Sequence, residues 1–433
     1  MSRRFRFGSV ALAAFAVACG GDSIGDAAPR GDAGGDGPAS DGAAADGAAH
    51  DSGAGGAAGS GGTAATGGAG ATGGGSAGGT GGASTGGGGT GGAASGGASG
   101  ADSGADAAPG GAGGASGGTG PVDDAGRPLV GRCGDPVPPG APAPPPPPTY
   151  TRGTCPTLVG GANQIATQGG TRDFLLTLPA DPQPGEQFPV VFLWHWLGGS
   201  ANSFLTKGEV QAAADQQRFI AVIPEAKDDP LNLFKWPYSI VDPEPRVQEE
   251  LAFFDDMFAC LAEQQPLDLQ CVSTGGVSAG ALWTDQLAGH RGQYFSSILS
   301  LSGGTGGLIK PWTPPVHKMP AFVLWGGPTD QCVTIQFELT SKELEQRLTE
   351  GDHFFVECVH NCAHAEPPFD PPAGKSKYAG MWQFFLDHPY WLADGASPWL
   401  VDGVPDGTPE WCGIGPGSSI PRTGDCPPPA CPF

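Results

Sequence analysis

The chain has 433 residues, a formal charge of −23 and only 21 Lys and Arg. That balance excludes nucleic acid as a partner, because phosphate binding needs clustered cations. Its 77 glycines and 44 prolines exceed a quarter of the chain and exclude a protein that is globular throughout.

Arg3, Arg4 and Arg6 precede the apolar stretch Phe7–Ala18, the layout of an export signal and too short for a comfortable membrane span. Ala16-Val17-Ala18-Cys19-Gly20 resembles a bacterial lipobox. Residues 1–19 are therefore expected to be a signal peptide ending at a lipidated Cys19, which anchors the chain to a membrane. Ordinary cleavage nearby, giving a free secreted protein, is the alternative. The expected location is the cell envelope, at the outer membrane, or the medium.

Residues 20–149 carry imperfect Gly-Gly-Thr and Gly-Gly-Ala-Ser repeats, with no aromatic residue before Tyr150. No apolar face can form, so a disordered linker is expected. As a flexible coil it spans roughly 60 Å on average, stiffening over Pro142–Pro148 into polyproline II.

From 150 to 395 strand-like and helix-like segments alternate, predicting an α/β domain with a mostly parallel sheet and helices on both faces. Strands are expected at Asp173–Leu178, Val190–His195, Phe219–Ile223, Cys271–Gly275, Ser297–Leu301, Ala321–Trp325 and Phe354–Val359. Helices are expected at Gln211–Gln217, Glu249–Glu263, Ala279–Gly289, Ile335–Glu350 and Tyr378–Leu386. The unbroken apolar run Val190–Trp194 fits a central strand buried on both faces. Residues 396–433 form a Pro- and Cys-containing tail.

Ten cysteines follow Cys19, an even number that in an exported chain predicts up to five disulfides. Cys260 and Cys271 flank a helix-to-strand turn and are the expected local pair, worth roughly 3 kcal/mol in the chain-entropy model. Cys412, Cys426 and Cys431 are expected to fasten the tail.

Gly276-Val277-Ser278-Ala279-Gly280 fits the G-x-S-x-G nucleophile elbow, whose tight strand-to-helix turn demands small residues on either side of the serine. The same pattern arises by composition around Ser76, Ser84 and Ser116. Only Ser278 has a strand before it and a helix after it. A nucleophilic serine needs a base, and the base needs an orienting carboxylate, in the chain order Ser, acid, His. Asp330, in the loop after the Ala321–Trp325 strand, is the expected acid, with Asp352 as the alternative. His364 is the expected base, with His360 as the alternative. His195, at a strand end, reads as structural or as a neighbour of the oxyanion hole. Backbone N–H groups of Ala279, at a helix N-terminus, and of Leu197, in the loop after the second strand, are the expected oxyanion donors.

Cys358, His360, Cys362 and His364 recur at every second position and offer a rival zinc reading. Four ligands along one straight strand do not close easily around one ion, and export favours disulfides over thiolates. No metal and no cofactor is expected.

Over about residues 150–390 the chain resembles the feruloyl esterase and polyhydroxybutyrate depolymerase group of α/β-hydrolases. Five features carry the likeness: Arg172-Asp173-Phe174 with Leu178-Pro179, the His195…Gly198-Gly199 loop, Ala221–Pro224, the Ser278 elbow, and Gly327–Asp330 with Ala363-His364. The resemblance implies the α/β-hydrolase fold and metal-free ester hydrolysis by Ser278, Asp330 and His364 through an acyl-enzyme. The expected substrate is a feruloyl- or acetyl-type polysaccharide ester or a polyester. Three positions depart from the family pattern: Trp196 and Ala363 stand where it has glycine, and Trp325 where it has histidine. Trp196 motivates a second reading, an inactive hydrolase-fold surface lipoprotein that binds a polymer or partner. Trp196, Trp236 and Tyr238 lie in loop-like segments and are the expected substrate contacts. Trp194 and Trp283 are expected in the core.

Overall fold

A computed structural model of the chain describes residues 122–124, 126–228, 234–428 and 431. The expected signal peptide with Cys19, and the linker as far as residue 121, lie outside the described residues.

The first strands, β1 (Gly161–Thr167) and β2 (Gly170–Thr177), alternate exposed and buried residues, as a sheet edge with one wet face does. They pair antiparallel from Gly161↔Leu176 to Thr167↔Gly170. That register leaves a two-residue hairpin turn, whose Gly169 takes a φ of 87°. β3 (Phe188–Trp194) is buried at every position. Two helices follow, α1 (Ala201–Lys207) and α2 (Val210–Gln217), then β4 (Ile220–Pro224). The long α3 (Glu244–Gln264) leads into β5 (Leu267–Val277), which runs directly into α4 (Ala279–Arg291). β6 (Ser297–Leu301) and β7 (Ala321–Trp325) come next, then the short hairpin β8 (Gln331–Cys332) and β9 (Ile335–Gln336), then α5 (Phe337–Glu350). β10 (Phe355–Val359), α6 (Ala379–Leu386), α7 (Pro398–Asp402) and β11 (Cys412–Ile414) complete the order.

Nine strands form one sheet in the order β1-β2-β4-β3-β5-β6-β7-β10-β11. The run from β4 to β10 is parallel, and β11 closes the far edge antiparallel to β10. Alternation along β3 sorts two cores. Val190, Phe192 and Trp194 pack with α3 and α4 on one face, and Val191 and Leu193 with α1, α2 and α6 on the other. The chain leaves β3 toward β4 and returns to β5 on β3's other side. The strand order therefore reverses at the β3–β5 boundary, where open α/β sheets place their sites.

The expected Cys260–Cys271 pair does not form. Cys260 bonds Cys155 and Cys271 bonds Cys133. The reason is the period of the strand: Val272 faces the α3 core, so Cys271 points to the opposite face. There Cys133 passes α6 and donates its N–H to the Leu386 carbonyl. Both domain limits move as well. Leu129 and Ala141 pack against Trp391 and Leu392, so part of the segment assigned to linker belongs to the folded body. The 396–433 tail is likewise part of the fold, contributing β11 and three cysteines bonded to Cys358, Cys362 and Cys332. Those bonds consume both thiols of the zinc reading, which fails. Among the described residues, no helix is long and apolar enough to cross a membrane.

His388 shows how far the tail is integrated. It is fully enclosed, its Nδ1 donating to the Phe384 carbonyl and its Nε2 accepting from Ser397 Oγ at 2.7 Å. Burial pushes its pKa down to about 4. The folded value lies below the unfolded value of about 6.5, so the neutral ring's stabilisation is complete above about pH 6.5 and is lost as pH falls toward 4. Asp285 and Glu345, which burial raises to about 8 and about 7, act with the opposite sign, favouring the fold at low pH. Comparing His388→Asn with the parent isolates the histidine. Urea unfolding between about pH 7 and 4 is expected to show the parent losing about 3 kcal/mol more than the variant. Parallel pH curves would refute a neutral buried His388.

Candidate active site

β5 ends at Val277 and α4 begins at Ala279, leaving Ser278 alone to turn the chain. Its backbone sits at φ 57°, ψ −119°, a region that L-residues rarely occupy and that costs on the order of 1–3 kcal/mol. The flanking glycines make the turn possible. A Cβ on Gly276 would lie 2.3 Å from the Gly280 carbonyl, and one on Gly280 would lie 1.9 Å from the Trp194 carbonyl. The Ser278 N–H donates to the Leu301 carbonyl of β6 at 2.8 Å, so the turn is held from the neighbouring strand. Ser278 Oγ then faces His364.

Three expected residues come together in one line. His364 Nε2 stands 2.9 Å from Ser278 Oγ, and His364 Nδ1 stands 2.7 Å from Asp330 Oδ1. The other carboxylate oxygen of Asp330 accepts from Ser302 Oγ at 2.8 Å and from the Gly326 N–H at 2.7 Å. With Asp330 1% exposed, these donors fix its orientation and satisfy a buried charge. Phe337, the first residue of α5, stacks on the imidazole at 4.5 Å and 14°. An Oγ beside an imidazole whose far nitrogen is held by a carboxylate is the arrangement that activates a serine for attack.

The alternatives separate cleanly. His360 accepts the Cys362 N–H at its Nδ1, and burial pushes its pKa down to about 4. Its role is to shape the loop before His364. Asp352 is an exposed turn residue with φ 55°, near Lys318. Ala363 also takes φ 55°, which explains why glycine suits that position. Alanine tolerates the strain because its N–H donates to the Gly326 carbonyl and its carbonyl accepts from the Ala365 N–H.

Ala279 supplies an N–H in the first turn of α4, where no intrahelical acceptor exists. The peptide joining Trp196 to Leu197 is gripped from its carbonyl side. That carbonyl accepts from Gly199 N–H at 2.9 Å and from His195 Nδ1 at 3.0 Å. Because the trans peptide is planar, holding the carbonyl fixes the Leu197 N–H in the opposite direction. His195 is fully buried, and its Nε2 lies 3.2 Å from both the Ala226 N–H and Glu225 Oε1. Glu225 also accepts the Ala201 N–H at the start of α1. Burial raises its carboxyl, but His195 beside it and the bond from the Ala201 N–H outweigh this and hold it below the usual carboxylate value. Arg172 binds the Glu225 carbonyl at 2.9 Å and Glu250 at 2.7 Å. Ser302, Phe337 and Glu225 escape a reading of the sequence because each is a common residue type in an unremarked loop or helix start. The serine following the β6 strand was the one available signal.

The aromatics fall out differently from expectation. Trp236 and Tyr238 are 0% and 1% exposed, so the expectation that they contact substrate is corrected. Their segment folds inward because the Trp236 Nε1–H finds the His195 carbonyl at 2.8 Å, which satisfies its one polar group in the core. Trp194 and Trp283 are core, as expected, and Trp194 sits edge-on to Trp236 and Trp283. Trp196 is half-buried. Its ring leans over α1 against Phe204 at 6.1 Å, with Lys207 Nζ 5.3 Å above it. Its φ is not positive; the loop's left-handed residue is Gly198, at 75°. A side chain at position 196 therefore fits without straining the loop.

No family model matches the sequence, and no curated protein matches it. Among solved structures, pOPH in complex with DMSO gives a TM-score of 0.50 at 16% identity, covering 62% of this chain and 98% of that one. Native sOPH gives 0.49 at 17%, over 62% and 97%. A ferulic acid esterase gives 0.39 at 14%, over 47% and 89%. With the strand order and the strand–serine–helix turn, the likeness to pOPH establishes the α/β-hydrolase fold.

Two substitutions test the backbone argument. Gly280→Ala is expected to destabilise the fold by more than about 2 kcal/mol, since the Trp194 carbonyl has no room to retreat. Ala363→Gly is expected to raise stability by up to about 1 kcal/mol by relieving the left-handed strain. Thermal unfolding of both variants checks the pair. A destabilised Ala363→Gly would show that φ at this position is not strained.

Proposed function

We propose that this chain is a serine carboxylic ester hydrolase. The observation that carries the reading is the continuous hydrogen-bonded line from Ser278 Oγ through His364 to Asp330, set at the C-terminal edge of the sheet.

In this mechanism His364 Nε2 accepts the Ser278 hydroxyl proton as Oγ attacks the ester carbonyl carbon. Asp330 keeps the Nδ1 proton on the far side and stabilises the imidazolium that forms. The carbonyl oxygen, now an oxyanion, is received by the N–H groups of Ala279 and Leu197, already oriented before substrate arrives. Collapse breaks the C–O bond, and the His364 proton goes to the leaving alcohol. Water, deprotonated by the same imidazole, then attacks the acyl-serine, and free acid leaves with Ser278 restored. No metal or cofactor enters these steps.

The substrate class we propose is a feruloyl- or acetyl-type polysaccharide ester or a polyester, with half-buried Trp196 as an aromatic contact near the oxyanion loop. Lipidation at Cys19, with the linker as a stalk, is the proposed attachment to the cell envelope.

Hydrolysis of p-nitrophenyl acetate and methyl ferulate is expected from the parent and is expected to fall by about three or more orders of magnitude in Ser278→Ala. A fluorophosphonate probe is expected to label Ser278 in the parent and nothing in the variant. A folded parent that neither hydrolyses an ester nor takes the probe would displace this reading in favour of a binding protein.

A further inference from the structure

Asp330 and His364 both lie in loops. Asp330 sits between β7 and the two-residue strand β8, and His364 lies in the segment 360–378, which carries neither helix nor strand. Beyond the last β7–β10 pair, Trp325↔Val359, two backbone bonds join the loops, from the His360 N–H to the Trp325 carbonyl and from the Ala363 N–H to the Gly326 carbonyl, and neither involves Asp330 or His364. Yet the two side chains meet at 2.7 Å.

The C-terminal tail adds a covalent tie. Cys332, two residues after Asp330, is bonded to Cys431, and Cys362, two residues before His364, is bonded to Cys426. Cys426 and Cys431 are separated in the chain by four residues. The two disulfides, this span and the Asp330–His364 hydrogen bond therefore close a small ring. The tail reaches this point along a continuous track. Cys412 is bonded to Cys358 of β10, Ser419 Oγ donates to Glu357 at 2.9 Å, and Arg422 Nη1 donates to Asn361 Oδ1 at 2.6 Å. Asn361 in turn donates to the Gly424 carbonyl at 3.0 Å.

We propose that the C-terminal tail is a covalent clamp of the catalytic site, with Cys426 and Cys431 as positioning residues that set the acid loop against the base loop. This rests on the hydrolase reading above. Two other disulfides provide the contrast: Cys133–Cys271 and Cys155–Cys260 lie in neither loop. Cys426 is exposed whereas its partner Cys362 is buried, so a thiol reductant meets the clamp from the tail side.

The test uses the full chain produced under oxidising conditions. The clamp variant replaces Cys332, Cys362, Cys426 and Cys431 by serine; the control replaces Cys155 and Cys260. The clamp variant is expected to lose about ten- to a hundredfold in kcat with KM changed less than about threefold, as misplacement of reacting groups does. The downfield proton resonance of the His364 Nδ1–H···Asp330 bond should broaden or vanish. The control is expected to lose thermal stability while keeping kcat and that resonance. Should the clamp variant not fold, the folded parent is treated with a mild thiol reductant. Mass mapping then identifies chains open at Cys362–Cys426, and kcat is read before and after reoxidation, with recovery expected. An unchanged kcat and resonance in the opened or substituted clamp, in an active parent, overturns the proposal. Failure of the hydrolase reading looks different, appearing as an inactive parent, and the resonance still reports on the clamp.

Discussion

Ser278 must hold a backbone conformation that only glycine adopts freely, and much of the surrounding architecture serves to hold it there. At φ 57°, ψ −119° the serine projects Oγ away from both the strand it ends and the helix it begins. A conformation of this kind, costing on the order of 1–3 kcal/mol, survives only when its flanks are immobile. β5 is paired on both sides, by β3 and β6, and α4 is buried from Ala279 to Ala288. The contact that fixes the spacing is between Gly280 and the Trp194 carbonyl, which leaves no room for a methyl group. Trp194 is itself pinned, its indole donating to Thr274 at 2.9 Å. The strain is therefore confined to one residue between rigid bodies.

From that residue outward, each functional group is oriented by a partner in the next loop. Leu197 is aimed by its own peptide carbonyl, gripped by His195 and Gly199. His195 is placed by the backbone of Ala226 and the carboxylate of Glu225. Arg172 anchors that segment to β2 and to Glu250 on α3. On the other side Asp330 is held by Ser302, the first residue after β6, and Asp285 on α4 holds the following turn through the Gly304 N–H at 2.6 Å. Buried polar groups at this density are tolerable because nearly every one has a partner.

The sequence made the central elements legible and left the edges obscure, for physical reasons. The strands at Ser297–Leu301 and Ala321–Trp325 stand at their expected limits; the second is the uninterrupted apolar run expected of a fully buried parallel strand. Ser278, Asp330 and His364 were readable because the order of elements restricts where each can lie. β1 was missed: its Gly-Ala-Asn-Gln start has almost no apolar content, and its strand character comes from pairing with β2. β11 was missed because only three residues pair, next to a disulfide. The Cys260–Cys271 expectation failed because nearness along the chain was weighed above the face on which each side chain emerges. Trp236 and Tyr238 were misjudged since local polarity does not reveal that a loop folds inward to meet the His195 carbonyl.

The two ends of the folded body share a strategy. Cys133 and Cys155 tie the N-terminal approach to β5 and α3, while Cys412, Cys426 and Cys431 tie the tail to β10 and to the loops beyond it. The Cys133–Cys271 bond closes a separation of 138 residues and Cys155–Cys260 one of 105. In the chain-entropy model each is worth about 5 kcal/mol, although nested loops share part of that gain. Stabilisation of this size acts on the unfolded chain and asks nothing of the site's local geometry. It leaves the sheet's C-terminal edge free to carry what a hydrolytic site requires: a strained serine, a left-handed Ala363, a buried carboxylate and loops without helix or strand. Where covalent bonds approach that edge, at Cys332 and Cys362, they fall beside the two loops that carry Asp330 and His364.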